Sequence, residues 1–107
     1  MQVLSSFEQF EEIQQAWWNR ILFKHSTTCP ISANAYRQVE KFEKESGHTI
    51  YLLDVLNTGQ SKFLIADALG ITHESPQVIV FADGKVIADA SHLAVSARWL
   101  MKQTQGE

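Results

Sequence analysis

The chain has 107 residues, 45% hydrophobic and 20% charged, with a formal charge of −3; this globular composition of about one domain's length excludes collagen, coiled coil and disorder. Its apolar runs are far shorter than the roughly 20 residues that span a bilayer, and Met1 to Ser6 lacks the basic start and apolar stretch of an export signal, so a cytoplasmic location is expected. Nine Lys and Arg scattered among twelve Asp and Glu argue against nucleic-acid binding, and the single cysteine allows neither an internal disulfide nor a multi-cysteine zinc site.

Val3-Leu4 is a candidate short strand. Phe7, Phe10, Ile13 and Trp17 recur at three or four residues behind a Ser6–Gln9 capping box, which predicts a helix over 6–18. Ile21 to Phe23 predicts a strand covered on both faces, followed by a polar loop from His25 to Thr28. The stretch from Cys29 to Ser46 predicts a helix. Pro30 occupies its first turn, Ala35, Tyr36, Val39 and Phe42 form an apolar stripe, and Gly47 closes it; Tyr36 and Phe42 read as core. Thr49 to Val55 is rich in strand formers and precedes a turn at Asn57-Thr58-Gly59. A helix over 60–69 follows, with Phe63, Ala66 and Leu69 inward and Gly70 as its stop. Gln77 to Ala82 and Lys85 to Ala90 flank Asp83-Gly84, a strong hairpin signal. A last helix over 91–104 carries Leu93, Ala97, Leu100 and Met101. This alternation predicts one α/β domain over 1–107, a mixed sheet between helices.

Cys29 falls between a buried strand and a helix N-terminus, where unpaired N–H groups and the helix dipole favour the thiolate, the nucleophilic form. Thr27, Thr28 and Ser32 add hydroxyl donors nearby, and Pro30 fixes the first turn. Context alone leaves a reactive thiol and an inert, packed one as equal readings. Ser75-Pro76 precedes the strand at Gln77, where proline removes a backbone donor. A cis bond there would turn the Ser75 backbone outward beside the sulfur, open to an extended substrate; a trans proline closing the loop is the ordinary alternative.

His25 is a candidate to stabilise the thiolate or to bind a substrate carboxylate, and with no second cysteine a metal site is not expected. His48, His73 and His92 fall near element ends, where solvated or capping roles are common, although the loop from Ile71 to Pro76 leads His73 toward the site. Lys24 and Arg37 are candidate partners for an anionic thiol, but surface charge accounts for both. Trp17, Trp18 and Trp99 read as packing; the adjacent pair permits a dimer of an expected monomer.

Together, the strand–Cys-Pro-Ile-Ser–helix unit, Ser75-Pro76 before a hairpin, and a last helix after it resemble the thioredoxin fold over nearly the full length: a mixed central sheet of four or five strands flanked by four helices. Within it, the stretch Phe23-Lys24-His25-Ser26-Thr27-Thr28-Cys29-Pro30-Ile31-Ser32 resembles the active site of the YtxJ-type monothiol bacilliredoxins, small bacterial proteins tied to the thiol bacillithiol. The resemblance implies that Cys29 is the redox-active thiol, that Ser32 replaces the second cysteine of dithiol relatives, and that Pro76 is a cis proline facing the sulfur. It further implies an enzyme that removes bacillithiol from mixed disulfides with client proteins. Thr28, Pro30 and Ser32 would support Cys29, His25, Ser75 and Pro76 would meet the substrate, no cofactor or metal would be bound, and bacillithiol would be the thiol co-substrate.

Departures from the wider fold narrow this expectation. Ser32 excludes a dithiol cycle, and Phe23 stands where thioredoxins carry a buried acid for proton transfer. Pro30-Ile31 departs from the Cys-Gly-Phe-Ser of cluster-holding monothiol glutaredoxins. The lysine that glutathione-using glutaredoxins often place three residues before the cysteine is absent, since Ser26 stands there. Two rivals remain: an interaction module with an inert Cys29, and a glutathione-dependent monothiol enzyme.

Overall fold

The computed structural model describes residues 1–14 and 19–104. Strands β1 (Gln2–Leu4), β2 (Asn19–His25), β3 (Ile50–Asp54), β4 (Gln77–Ala82) and β5 (Lys85–Ser91) form a sheet in the order β1-β3-β2-β4-β5. β1 and β2 run parallel to β3, whereas β4 is antiparallel to β2 and to β5. Among the described residues four α-helices cover this sheet: α1 (Phe7–Gln14), α2 (Pro30–Ser46), α3 (Ser61–Leu69) and α4 (Ala97–Thr104). The arrangement is the mixed α/β fold expected from the sequence, with five strands.

Successive strand residues point to opposite faces, so a central strand that is buried on both must be apolar along its length. Ile21, Phe23, Val78 and Val80 pack with Ala35, Val39, Phe42, Ala97 and Leu100 of α2 and α4. Leu22, Ile79 and Phe81 pack on the other face with Phe10 and Ile65 of α1 and α3.

Local signals account for α2 and the hairpin. Cys29 is the extended N-cap of α2 (φ −99°, ψ 124°), Pro30 its first residue, and Gly47 its left-handed C-cap (φ 75°); the Gly47 N–H donates to the Glu43 carbonyl at 3.0 Å. Asp83 (φ 54°) and Gly84 (φ 77°) supply the two positive angles that a type I′ turn requires. At the start of α1 the Gln9 N–H donates to Ser6 Oγ at 3.2 Å, while Gln9 Oε1 accepts from the Ser5 N–H, at 2.7 Å, in place of the Ser6 N–H.

Three expectations need correction, and one lies outside the described residues. β2 does not give way to a loop at His25: Lys24 lies opposite both Leu53 and Gln77, and His25 opposite Asp54, so neighbours on each side extend the strand past its apolar run. Of the residues expected inward on α3, Ala66 is buried beside Ile65 and Leu69 packs against the core, whereas Phe63 is 45% exposed. The last helix starts at Ala97, because His92 takes a left-handed φ of 55°, which a right-handed helix cannot contain. Leu93 therefore sits in a short 3-10 turn (His92–Ala94) and is 77% exposed, with Met101 also exposed. Residues 15–18 of the expected first helix, with Trp17 and Trp18, lie outside the described residues.

Candidate active site

The register gathers the site at one edge of the sheet. β2 ends at His25 beside Asp54 at the end of β3, and Gln77 at the start of β4 lies opposite Lys24. The residues that follow β2 and precede β4, Ser26 to Cys29 and Ser75-Pro76, therefore emerge at the same edge. The β5–α4 connection joins them there, since the His92 N–H donates to the Pro76 carbonyl at 2.8 Å. The Ser75-Pro76 peptide bond is cis.

Cys29 is a free, partly exposed cysteine at the N-cap of α2. A short turn presents it: its N–H donates to the Ser26 carbonyl at 3.3 Å, and its own carbonyl accepts from the Ala33 N–H at 3.0 Å. Thr28 and Ser32 were expected to donate toward the sulfur, and the structure gives both hydroxyls other partners. Thr28 Oγ1 pairs with Ser26 Oγ at 3.5 Å. Ser32, fully buried one turn into α2, accepts the Ser26 N–H at 2.9 Å and pairs with His25 Nδ1 at 2.8 Å. That hydroxyl ties the loop before Cys29 to the helix after it, and a buried hydroxyl with two partners loses little by leaving water.

His25 is 8% exposed, and its ring stands 5.4 Å from Phe23 and 5.1 Å from Tyr36. Burial holds its pKa below the usual imidazole value, against the raising influence of the Asp54 carboxylate and the Ser32 bond. The ring is therefore neutral near pH 7 and offers a hydrogen bond and a flat surface, not a charge. Tyr36 packs against the core, as its place in the apolar stripe suggested, and also faces outward. It is half-buried and, with His25, Thr27, Ala33 and Arg37, lines a cleft of about 330 Å³. Sequence reading missed this cleft, although the spacing of Ala33, Tyr36 and Arg37 at four, seven and eight residues after Cys29 already put them on its side of the helix.

Lys24 is not a surface charge. It has no exposed area, and its Nζ donates to Gln77 Oε1 at 3.0 Å. Burial lowers its pKa from 10.5 to about 8, with Glu74 opposing the shift. By strand alternation it points with Leu22 toward α1 and α3, away from the cleft. His73 lies on that side too: it stands edge-on to Phe63 at 5.2 Å, and its Nδ1 is buried without a hydrogen-bond partner among the described residues, as is Ser75 Oγ. His92 pairs with Glu74 at 2.9 Å, joining the two loops that flank Pro76, and His48 stacks on Phe42 at 5.5 Å. Among the described residues no group of three or more potential metal ligands occurs, and no helix is long and apolar enough to cross a membrane.

The model of the family described as monothiol bacilliredoxin BrxC matches residues 2–100. The chain belongs to that family. A solved structure described as an oxidoreductase with a thioredoxin fold is similar at 36% identity and a TM-score of 0.89, covering 94% of this chain and 90% of its own. Thioredoxin from Fasciola hepatica is similar at 19% identity and a TM-score of 0.75, covering 96% of this chain and 95% of its own. Thioredoxin f2 from Chlamydomonas reinhardtii, at 13% identity and a TM-score of 0.75, covers 100% and 98%. The last two speak to the fold alone. This bacilliredoxin-family member is a redox protein of the thioredoxin fold.

Proposed function

We propose that the protein is a monothiol oxidoreductase that removes bacillithiol from mixed disulfides with protein cysteines in a bacterial cytoplasm. The observation that carries this reading is the place of its one thiol: Cys29 is partly exposed, at the start of α2, on the sheet edge where Ser75-Pro76 also emerges. The N-terminus of a helix presents unpaired N–H groups and positive potential to such a sulfur. The Cys29 thiolate attacks the small-thiol sulfur of the client's mixed disulfide; that S–S bond breaks, a bond from Cys29 to the small thiol forms, and the client cysteine leaves as thiolate and takes a proton. A second bacillithiol, as thiolate, then attacks the Cys29 adduct, so that bacillithiol disulfide is released and the Cys29 thiolate restored. No second cysteine is needed, and none exists in the chain. In this cycle Ser32 and Thr28 hold the loop that carries Cys29, Pro30 starts the helix, and Ser75 and Pro76 border the client's path.

Mass spectrometry tests the reading, after incubation of the wild type and Cys29→Ser with bacillithiol disulfide and, separately, glutathione disulfide. The expected result is a bacillithiol adduct on the wild type, absent from Cys29→Ser and released by fresh bacillithiol. A thiol left unmodified by both disulfides would move the weight to an interaction module. A glutathione adduct alone would make the enzyme glutathione-dependent.

A further inference from the structure

The cleft beside α2 has the dimensions of a small-molecule site, whose usual range begins near 300 Å³, and a definite polarity along its length. At one end is Thr27, two residues before the sulfur; Ala33, Tyr36 and Arg37 continue along the side of the helix that Cys29 begins. Eight residues of helix span about 12 Å, and helical Cα–Cβ bonds tilt toward the N-terminus, so Arg37 stands within the length of a small molecule from the cysteine. Tyr36 and His25, with ring centroids 5.1 Å apart, form the wall between. Arg37 is exposed and makes no ion pair among the described residues. Since His25 is neutral and Lys24 is sealed on the opposite face of the sheet, Arg37 is the cation that lines the cleft among the described residues.

We propose that this cleft holds the non-sulfur half of a carboxylate-bearing small thiol, with a carboxylate on Arg37 and the polar middle of the molecule against Tyr36 and His25. The assignment rests on the thiol-exchange reading and deepens it: the cleft selects which small thiol Cys29 exchanges with and takes no part in the bond exchange. A planar, permanently charged guanidinium suits a carboxylate, which it meets through two parallel hydrogen bonds.

The test compares rates of mixed-disulfide formation on Cys29 with bacillithiol disulfide, glutathione disulfide and neutral hydroxyethyl disulfide. The proteins are the wild type, Arg37→Ala, Arg37→Glu and Lys85→Ala, the last removing a charge beside the hairpin turn at the far end of β4 and β5. The quantity read is the rate with the preferred carboxylate-bearing disulfide divided by that with hydroxyethyl disulfide. This ratio is expected to fall about tenfold in Arg37→Ala, further in Arg37→Glu, and to hold in Lys85→Ala; raised salt narrows it in the wild type. An unchanged ratio in Arg37→Ala overturns the inference, as does an equal fall in Lys85→Ala, which would make the effect one of net charge. If the wild type takes glutathione disulfide and refuses bacillithiol disulfide, the thiol named under the proposed function is wrong, and the Arg37 ratio, read on glutathione disulfide, still decides the cleft. A wild type inert to all three removes both.

Discussion

Lys24 takes an ammonium group out of water in return for one hydrogen bond among the described residues, to Gln77. The lowering of its pKa from 10.5 to about 8 means that the fold disfavours the charged form, and a difference of this size corresponds to about 3 kcal/mol. The unfolded chain holds the proton more tightly, so the cost is complete below the folded value and fades as pH rises from about 8 toward 10.5. Lys24→Met, which keeps the length and removes the charge, is expected to stabilise the protein by about 1–3 kcal/mol at pH 7. That gain should shrink toward pH 10, which urea unfolding of both proteins at the two pH values measures. Reduced stability of the variant at pH 7 would mean that the bond to Gln77 outweighs desolvation.

The β4–β5 hairpin meets α1 at a point that favours glycine. Gly84 has a φ of +77°, a Cβ there would lie 3.3 Å from the Gln14 carbonyl oxygen, and the Gly84 carbonyl accepts from Gln14 Nε2 at 3.2 Å. Gly84→Ala is expected to cost about 1–2 kcal/mol from left-handed strain alone, seen as a lowered thermal midpoint; an unchanged midpoint would show that the turn relaxes freely. The hairpin and α2 were legible in the sequence because their signals are local: Asp-Gly for the turn, proline at one end of the helix and glycine at the other. The end of β2 was not, since Lys24 and His25 are held in the sheet by partners about 30 and 50 residues away. The late start of α4 was hidden for a similar reason. His92 is fixed in its left-handed conformation by bonds to Pro76 and Glu74, which no local pattern announces. At the site, the place of Cys29 at the helix start was legible. The cleft was not, because Tyr36 becomes its wall only when β2 lies underneath and sets His25 against it.

His25 and His73, on opposite faces of the sheet, couple the stability of the entire fold to acid. Burial lowers both pKa values below 6.5, with Lys24 and Lys62 adding to the effect at His73. Below pH 6.5 the unfolded chain gains protons that the folded one refuses, so the stability present above that pH is lost as pH falls through the folded values. The urea midpoint is therefore expected to drop from pH 7 to pH 5, and a His25→Gln, His73→Gln double variant should flatten that drop. An equally steep drop in the double variant would place the acid sensitivity elsewhere.

Cys29, alone at the head of α2, also determines what oxidation does to the molecule as a polymer. A cross-link between two points of one chain restricts its unfolded state and so strengthens the fold. With one cysteine, any disulfide joins this chain to something else and ties no loop within it. The oxidised protein is then no more tightly knotted than the reduced one; its redox state is recorded as the mass and charge of its passenger.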